Sequence, residues 1–168
     1  MSGSHASTET PPEAQIVCVG EALVDLIANP ASSWVGIDQF IPRIGGAPAN
    51  ASVAIRRLGG NSAFLGCIAS DDPGIWIRER LTAENVDMSR AVHVEHAQTR
   101  LATVTGPEEN RDFVFYGSPA ADTLLTPDHV DMAGLKNASA IMAGSLLLLT
   151  EPGRLAMFSV ASQENDRG

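Results

Sequence analysis

Two adjacent glycines, Gly45 and Gly46, directly precede a helix-prone segment over residues 48–58. Paired glycines allow a tight turn and let backbone N–H groups come close to a ligand. The first N–H groups of a helix have no partner within the helix, and the dipole is positive there, so such a turn attracts hydroxyls and anions. The same residues also fit an ordinary loop-to-helix junction in which Asn50 caps the helix. On these residues alone, both interpretations stay open.

Strand-like and helix-like segments alternate along the rest of the chain. We predict buried strands at 15–20 and 62–69, a further strand at 139–144, an edge strand at 40–44 marked by Pro42, and a hairpin formed by 99–105 and 112–116. Further helices are predicted to begin at Asp72-Pro73, at Thr126-Pro127 and at Glu151-Pro152. This alternation predicts an α/β protein with an open, mostly parallel sheet and helices on both faces.

Composition narrows the class of partner. The formal net charge of −9 argues against nucleic acid or an anionic membrane as the main partner, because neutralising phosphates needs Lys and Arg. The longest apolar run, 138–149, is too short to span a bilayer. Residues 1–14 are polar and are predicted to be a disordered leader, without the apolar core of a secretory signal, before a single domain over 15–168.

The two cysteines, Cys18 and Cys67, lie in apolar predicted strands. We therefore expect reduced core thiols of a cytoplasmic protein rather than a disulfide. The four histidines are scattered without ligand spacing, so no metal site is predicted.

Six short motifs occur in a recognisable order. They are Val19-Gly20-Glu21-Ala22-Leu23-Val24-Asp25-Leu26, the Gly45–Asn50 run, Arg57–Gly66, Ser70–Gly74, Glu84–Asp87, and Phe113–Tyr116 continuing into Pro119–Asp122. Together they resemble the N-terminal half of the ribokinase-like carbohydrate kinases, the phosphofructokinase-B family, and are most similar to its fructokinase branch. The resemblance extends from about residue 16 to about residue 154. It implies a ribokinase-like fold with a small β-lid, here truncated before the C-terminal half.

The resemblance also implies which residues contact the ligand. The positions matching Asp25, Gly46 and Asn50 contact the sugar in this family, and Gly45 shapes the turn. The chemistry fits, since a carboxylate accepts hydrogen bonds from two vicinal hydroxyls and an amide both donates and accepts. We expect Asp25 just past the end of the first strand, where open α/β sheets bind ligands. Its alternative role is a solvated or helix-capping acid, and Glu21 is interpreted as structural.

Segments near 38–45 and 99–117 resemble parts of the family's β-lid, which closes over the sugar and excludes water. Thr99 and Tyr116 are predicted to contact the sugar, although Tyr116 also fits a cross-strand packing role. A homodimer through the lid is possible by the same resemblance. One departure stands out: fructokinase-like chains usually carry Arg after the Phe-Tyr pair, whereas this chain has Gly117-Ser118.

An intact enzyme of this family transfers a phosphoryl group from MgATP to a sugar hydroxyl. The family's Gly-Ala-Gly-Asp motif, which supplies the anion hole and the catalytic base, does not occur in these 168 residues. We therefore expect a small-molecule sugar as partner, and no catalytic residue and no ATP or metal site in this chain. The alternative is an inactive, truncated paralogue that binds sugar or pairs with a kinase. A dehydrogenase-type site would need Gly-x-Gly-x-x-Gly after the first strand, where Gly20 is instead followed by Glu21.

Overall fold

A computed structural model of the protein describes residues 15–29, 34–144, 146–149 and 151–165; the predicted leader 1–14 lies outside the described residues. The strands are β1 (Gln15–Val19), β2 (Leu23–Asn29), β3 (Gln39–Gly45), β4 (Asn61–Leu65), β5 (Cys67–Ala69), β6 (Val92–Val94), β7 (Leu101–Thr105), β8 (Asp112–Tyr116) and β9 (Ala140–Ala143). The α-helices are α1 (Ala47–Arg57), α2 (Asp72–Ala83), α3 (Pro127–Ala133) and α4 (Gly153–Asn165). Short 3-10 turns lie at Ala121–Thr123, Leu135–Asn137 and Leu146–Leu149.

A parallel sheet of order β4-β1-β9 forms the centre of the fold. Alternate residues of its strands point to opposite faces, so the sheet carries two apolar cores. On one face Val17 and Leu65 pack with Val130 of α3 and Ala156 of α4. On the other, Phe64 packs in a cluster with residues of α1 and α2. The predicted open, mostly parallel sheet with helices on both faces is confirmed.

A second sheet of order β3-β2-β7-β8 stands beside this core. The predicted edge strand and hairpin are confirmed, because β3 pairs antiparallel with β2 and β8 pairs antiparallel with β7. Strand β2, which pairs parallel with β7, was not predicted. Its sequence alternates, with buried Val24 and Ala28 on one face and Asp25 on the other, so the acid interrupts the apolar run by which a buried strand is recognised.

The segment 62–69, predicted as one strand, is two strands in different sheets. They are separated at Gly66, where a Cβ atom would lie 2.1 Å from the carbonyl oxygen of Gly20. The chain thus passes too close to its neighbour for a side chain and changes direction there. Beyond this point β5 pairs with β6 in a two-stranded parallel sheet.

The described residues include no helix that is long and apolar enough to cross a membrane. Cys18 and Cys67 are free and buried, as predicted for core thiols. Burial raises the pKa of the Cys18 thiol to about 11. Burial and, to a smaller extent, the charge of Asp122 raise the pKa of the Cys67 thiol to about 12.

Candidate functional site

The Gly45–Gly46 turn joins β3 to α1, and its shape requires glycine. Gly46 is the N-cap of α1 with φ 95° and ψ 124° and no side-chain cap, so the alternative with Asn50 as the cap is wrong. A Cβ atom at Gly46 would lie 2.4 Å from the carbonyl oxygen of Glu21. Glu21 also stabilises the turn, because its Oε1 accepts a hydrogen bond from the Ala47 N–H at 3.3 Å. Its interpretation as a structural residue is supported.

Asp25 lies inside β2 rather than in a loop after the first strand, opposite Arg43 of β3 and Ala102 of β7. Its carboxylate lies against the glycine turn, since a Cβ atom at Gly45 would come within 2.6 Å of the Asp25 Oδ1. Burial raises the pKa of Asp25, and the positive charge of Arg111 offsets part of that effect. The site therefore holds a partly desolvated carboxylate beside a turn without side chains.

Asn50 lies one helical turn beyond Gly46 and is exposed. Its backbone N–H donates to the Gly46 carbonyl at 3.0 Å, which is the ordinary first bond of the helix. Its side chain makes no hydrogen bond within the described part of the chain. It lines an open cavity of about 350 Å³ between β3, α1 and α2, which Arg43 and Trp76 also line. The structure thus brings Asp25, Gly45 and Gly46 together and leaves the Asn50 amide at the edge of this group.

Both the N–H and the hydroxyl of Thr99 are hydrogen-bonded to Asp71. Its N–H donates to Asp71 Oδ2 at 2.8 Å, and its hydroxyl donates to Asp71 Oδ1 at 2.5 Å. Asp71 also caps α2 by accepting the Gly74 N–H at 3.0 Å. Burial alone raises the pKa of Asp71, but the hydrogen bonds from Thr99 and Gly74 outweigh it and lower the pKa below its usual value. Thr99 therefore fastens the second sheet to α2, and its predicted sugar contact is not supported.

Tyr116 lies on the opposite face of the sheet from Asp25. The register pairs Tyr116 with Leu101, and Leu101 with Val24, so these three side chains share one face. Phe115, which pairs with Ala102, is the aromatic residue on the face of Asp25. The predicted Tyr116–sugar contact at the Asp25 site is therefore not supported. A shift of one residue exchanges the two faces, and sequence does not fix the register of this hairpin.

An ion pair between Arg100 and Asp122 is a feature that sequence reasoning missed. The Arg100 Nε donates to Asp122 Oδ2 at 2.7 Å and the Arg100 Nη2 donates to Oδ1 at 3.1 Å. The Asp122 side chain is 1% exposed and that of Arg100 is 19% exposed. The two residues are far apart in sequence, so no local spacing indicates that they form an ion pair. The only local signal is that Arg100 lies next to the apolar Leu101.

Comparison with known proteins shows to which family the chain belongs. A model described as "pfkB family carbohydrate kinase" matches residues 13–165. The chain belongs to this family. Its curated relatives include probable fructokinase-6, chloroplastic, from Arabidopsis thaliana, which is 37% identical over 98% of this chain and 43% of that protein. Fructokinase-1 from Zea mays is 38% identical over 84% of this chain and 44% of that protein.

Solved structures of fructokinases share the fold. The fructokinase from Xylella fastidiosa superposes with a TM-score of 0.82 at 32% identity, covering 93% of this chain and 50% of that one. A fructokinase double mutant from Vibrio cholerae O395, in a form with bound fructose, ADP and potassium ion, gives a TM-score of 0.80 at 28% identity over 92% of this chain and 48% of that one. The fold is ribokinase-like. The chain spans about half the length of the relatives it matches.

Proposed function

We propose that this chain supplies the sugar-binding half of a fructokinase-like enzyme that phosphorylates a sugar hydroxyl with ATP. The observation that carries the proposal is the Asp25 carboxylate lying against the Gly45–Gly46 turn at the start of α1. Membership of a carbohydrate kinase family and the fructose-bound form of the Vibrio cholerae relative support it. The whole enzyme's reaction would depend mainly on in-line positioning and charge stabilisation.

Each group in the proposed site has a distinct task. Asp25 accepts hydrogen bonds from two vicinal hydroxyls, the Gly45–Gly46 turn lets the sugar approach the backbone because it carries no side chain, and the Asn50 amide both donates and accepts. The sheet β3-β2-β7-β8 would act as the lid, because it carries Asp25 and presents the exposed aromatic hairpin. Thr99 is not included in this site because it is hydrogen-bonded to Asp71. Tyr116 is not included because it lies on the opposite face of the sheet from Asp25.

ATP and Mg²⁺ would be held by residues outside this chain. Within the described residues, no group of three or more His, Cys, Asp or Glu side chains could hold a metal ion. A form of the Xylella fastidiosa relative has bound ATP, and that protein is about twice as long as the matched region. The buried, free thiols of Cys18 and Cys67 are in keeping with a cytoplasmic protein.

A non-catalytic, kinase-partner role is the second candidate, and the edge of the central sheet favours it. Strand β9 pairs with β1 and, among the described strands, with no other. Exposed apolar side chains also follow β9 along the chain: Leu148, Leu149, Leu155 and Phe158. The unpaired backbone N–H and C=O groups of such an edge strand can form hydrogen bonds with a strand of another chain. The hairpin side chains of residues 113–116 are 43–52% exposed, which also fits a homodimer through the lid.

Isothermal titration of fructose into the purified chain tests the first candidate. We expect binding by the wild type and a large loss of affinity in Asp25→Asn, which keeps the shape of the side chain but accepts fewer hydrogen bonds. Asp131→Asn on α3 is the matched control, because Asp131 is exposed and bonds only to side chains of α4 among the described residues. A folded wild type that binds no sugar would refute the proposed site. Light scattering tests the second candidate, which requires a dimer or a complex with a full-length kinase.

A further inference from the structure

We propose that Arg100 is a substrate-positioning residue of the sugar site and that its ligand is a neutral sugar rather than a sugar acid. The inference rests on the proposed function, because it adds a residue and a ligand class to the same site. Five observations carry it: the face of the sheet on which Arg100 lies, its fixed geometry, its remaining donors, the glycine opposite it and the local charge.

Arg100 shares a face of the second sheet with Asp25. Asp25 pairs with Ala102 in the parallel β2–β7 ladder, and Arg100 precedes Ala102 by two residues. The Val24 N–H donates to the Arg100 carbonyl at 3.0 Å, which continues the same ladder to Arg100. Side chains two residues apart on extended backbone point to the same face. Arg100 and Asp25 are therefore diagonal neighbours on adjacent strands.

The guanidinium of Arg100 is held in one orientation from two sides. The buried Asp122 accepts two hydrogen bonds from it, at 2.7 and 3.1 Å. The Arg100 Cζ also lies 5.8 Å from the centre of the Phe115 ring, within the range of a cation–π contact. A side chain fixed in this way loses little entropy when it binds a further acceptor. Such preorganisation is the property expected of a positioning residue.

Arg100 has unused donors and lines a cavity. A guanidinium carries five N–H groups, and Asp122 uses two of them. The Arg100 side chain makes no other hydrogen bond within the described residues. It lines a cavity of about 200 Å³ together with Phe115, Thr123 and two leucines of the last 3-10 turn, Leu146 and Leu149. Apart from Thr123, whose hydroxyl donates to the Ala120 carbonyl, Arg100 is the polar residue of this lining.

Gly117 keeps the space opposite Arg100 open. The antiparallel register that pairs Leu101 with Tyr116 brings Gly117 next to Arg100, and a Cβ atom at Gly117 would lie 3.4 Å from the Arg100 Cα. Gly117 has φ 105°, which L side chains rarely adopt. Gly117 therefore places no side chain beside the Arg100 backbone.

The charges around Arg100 favour a neutral ligand. Asp122 already compensates the positive charge of the guanidinium at hydrogen-bond distance. The Asp25 carboxylate on the same face would repel a second carboxylate. Asp122 occupies the Nε and Nη2 side of the guanidinium, so a carboxylate ligand would compete with Asp122 for the same positive charge. The remaining donors suit a hydroxyl or carbonyl oxygen of an uncharged sugar.

Titration calorimetry with two ligands, fructose and the sugar acid 2-keto-3-deoxygluconate, tests the inference on the full 168-residue chain. The wild type should prefer fructose. Arg100→Ala should weaken fructose binding about tenfold, the loss expected for a hydrogen bond to a charged group. Asp122→Asn should move the preference toward the sugar acid, because it leaves the positive charge uncompensated. Arg154→Ala is the control, since Arg154 forms an exposed ion pair with Glu151 on another surface.

The outcomes separate this inference from the proposed function. Fructose affinity that is unchanged in Arg100→Ala, while the wild type binds, overturns the inference and leaves the proposed function standing. If Asp122→Asn prefers fructose over the sugar acid as strongly as the wild type does, the inference that the ligand is a neutral sugar is overturned. A folded wild type that binds neither compound overturns both. If Arg100→Ala does not fold, Arg100→Lys replaces it: Lys keeps the charge but lacks the planar fork, and unchanged affinity in a folded Arg100→Lys protein also counts against the inference.

Discussion

Replacing Gly46 by alanine should destabilise the protein strongly, for two separable reasons. The φ of 95° costs a residue with a side chain about 1–3 kcal/mol. A Cβ atom would also lie 2.4 Å from the Glu21 carbonyl oxygen, a backbone atom that cannot rotate away. Relieving that overlap requires a shift of the turn or of the segment before β2, at a cost of about 1–3 kcal/mol. We expect a total loss of about 2–6 kcal/mol in the free energy of unfolding, a large share of a typical domain's stability.

Gly59→Ala is the matched control for this substitution. Gly59 has φ 88°, but a Cβ atom there would meet no heavy atom within 4 Å. Gly59→Ala therefore has the same unfavourable backbone conformation without the steric overlap, and we expect a loss of about 1–3 kcal/mol in the free energy of unfolding. The difference between the two variants isolates the close approach of the turn to Glu21.

Urea unfolding followed by the fluorescence of Trp34 and Trp76 measures both variants. The reasoning predicts that Gly46→Ala loses at least about 1 kcal/mol more than Gly59→Ala. Failure of Gly46→Ala to fold under conditions in which Gly59→Ala folds counts as the same result. Equal losses in the two variants would refute the claim that the Glu21 carbonyl limits this turn.

Four further predictions concern the turn, Asp25 and the two buried cysteines. Gly45→Ala should displace the Asp25 carboxylate and weaken fructose binding in calorimetry with little loss of stability, because the atoms it meets belong to side chains. Fructose affinity should rise as the pH increases through the raised pKa of Asp25, since the ionised form is the acceptor; Asp25→Asn should show no such change. Cys18 and Cys67 should react with Ellman's reagent only after unfolding. Because their thiol pKa values are raised from 9.0 to about 11 and about 12, stability should decline as the pH rises above about 9, and replacing both by Ala should remove that decline.

The elements predicted correctly are those whose signals are local. Gly59 and Gly60 end α1, Pro73 stands in the first turn of α2, and the turn-rich residues 106–110 separate the strands of the hairpin. Each of these signals acts within a few residues through backbone geometry. The Gly45–Gly46 turn belongs to the same group, since both its position and its helix follow from adjacent residues.

The features that sequence could not predict depend on pairing between distant segments. Asp25 was expected in a loop because its strand is defined only by its partners β3 and β7. The face of Tyr116 depends on a register that one residue would reverse. The division of the segment 62–69 at Gly66 reflects contact with Gly20, which lies far away in the chain. In each case the deciding atom belongs to another element.

Two consecutive residues, Thr99 and Arg100, fix the sheet that carries Asp25 to the rest of the fold. Thr99 is held on one face by Asp71, the cap of α2, and Arg100 is held on the other by Asp122 of a 3-10 turn. Both acceptors are carboxylates of residues in or next to elements that pack on the central core. The start of β7 is therefore clamped from both faces, whereas the turn at its far end, residues 106–110, is largely exposed. We therefore expect Asp25, which pairs with Ala102 two residues from this clamp, to be held more firmly than the exposed end of the hairpin.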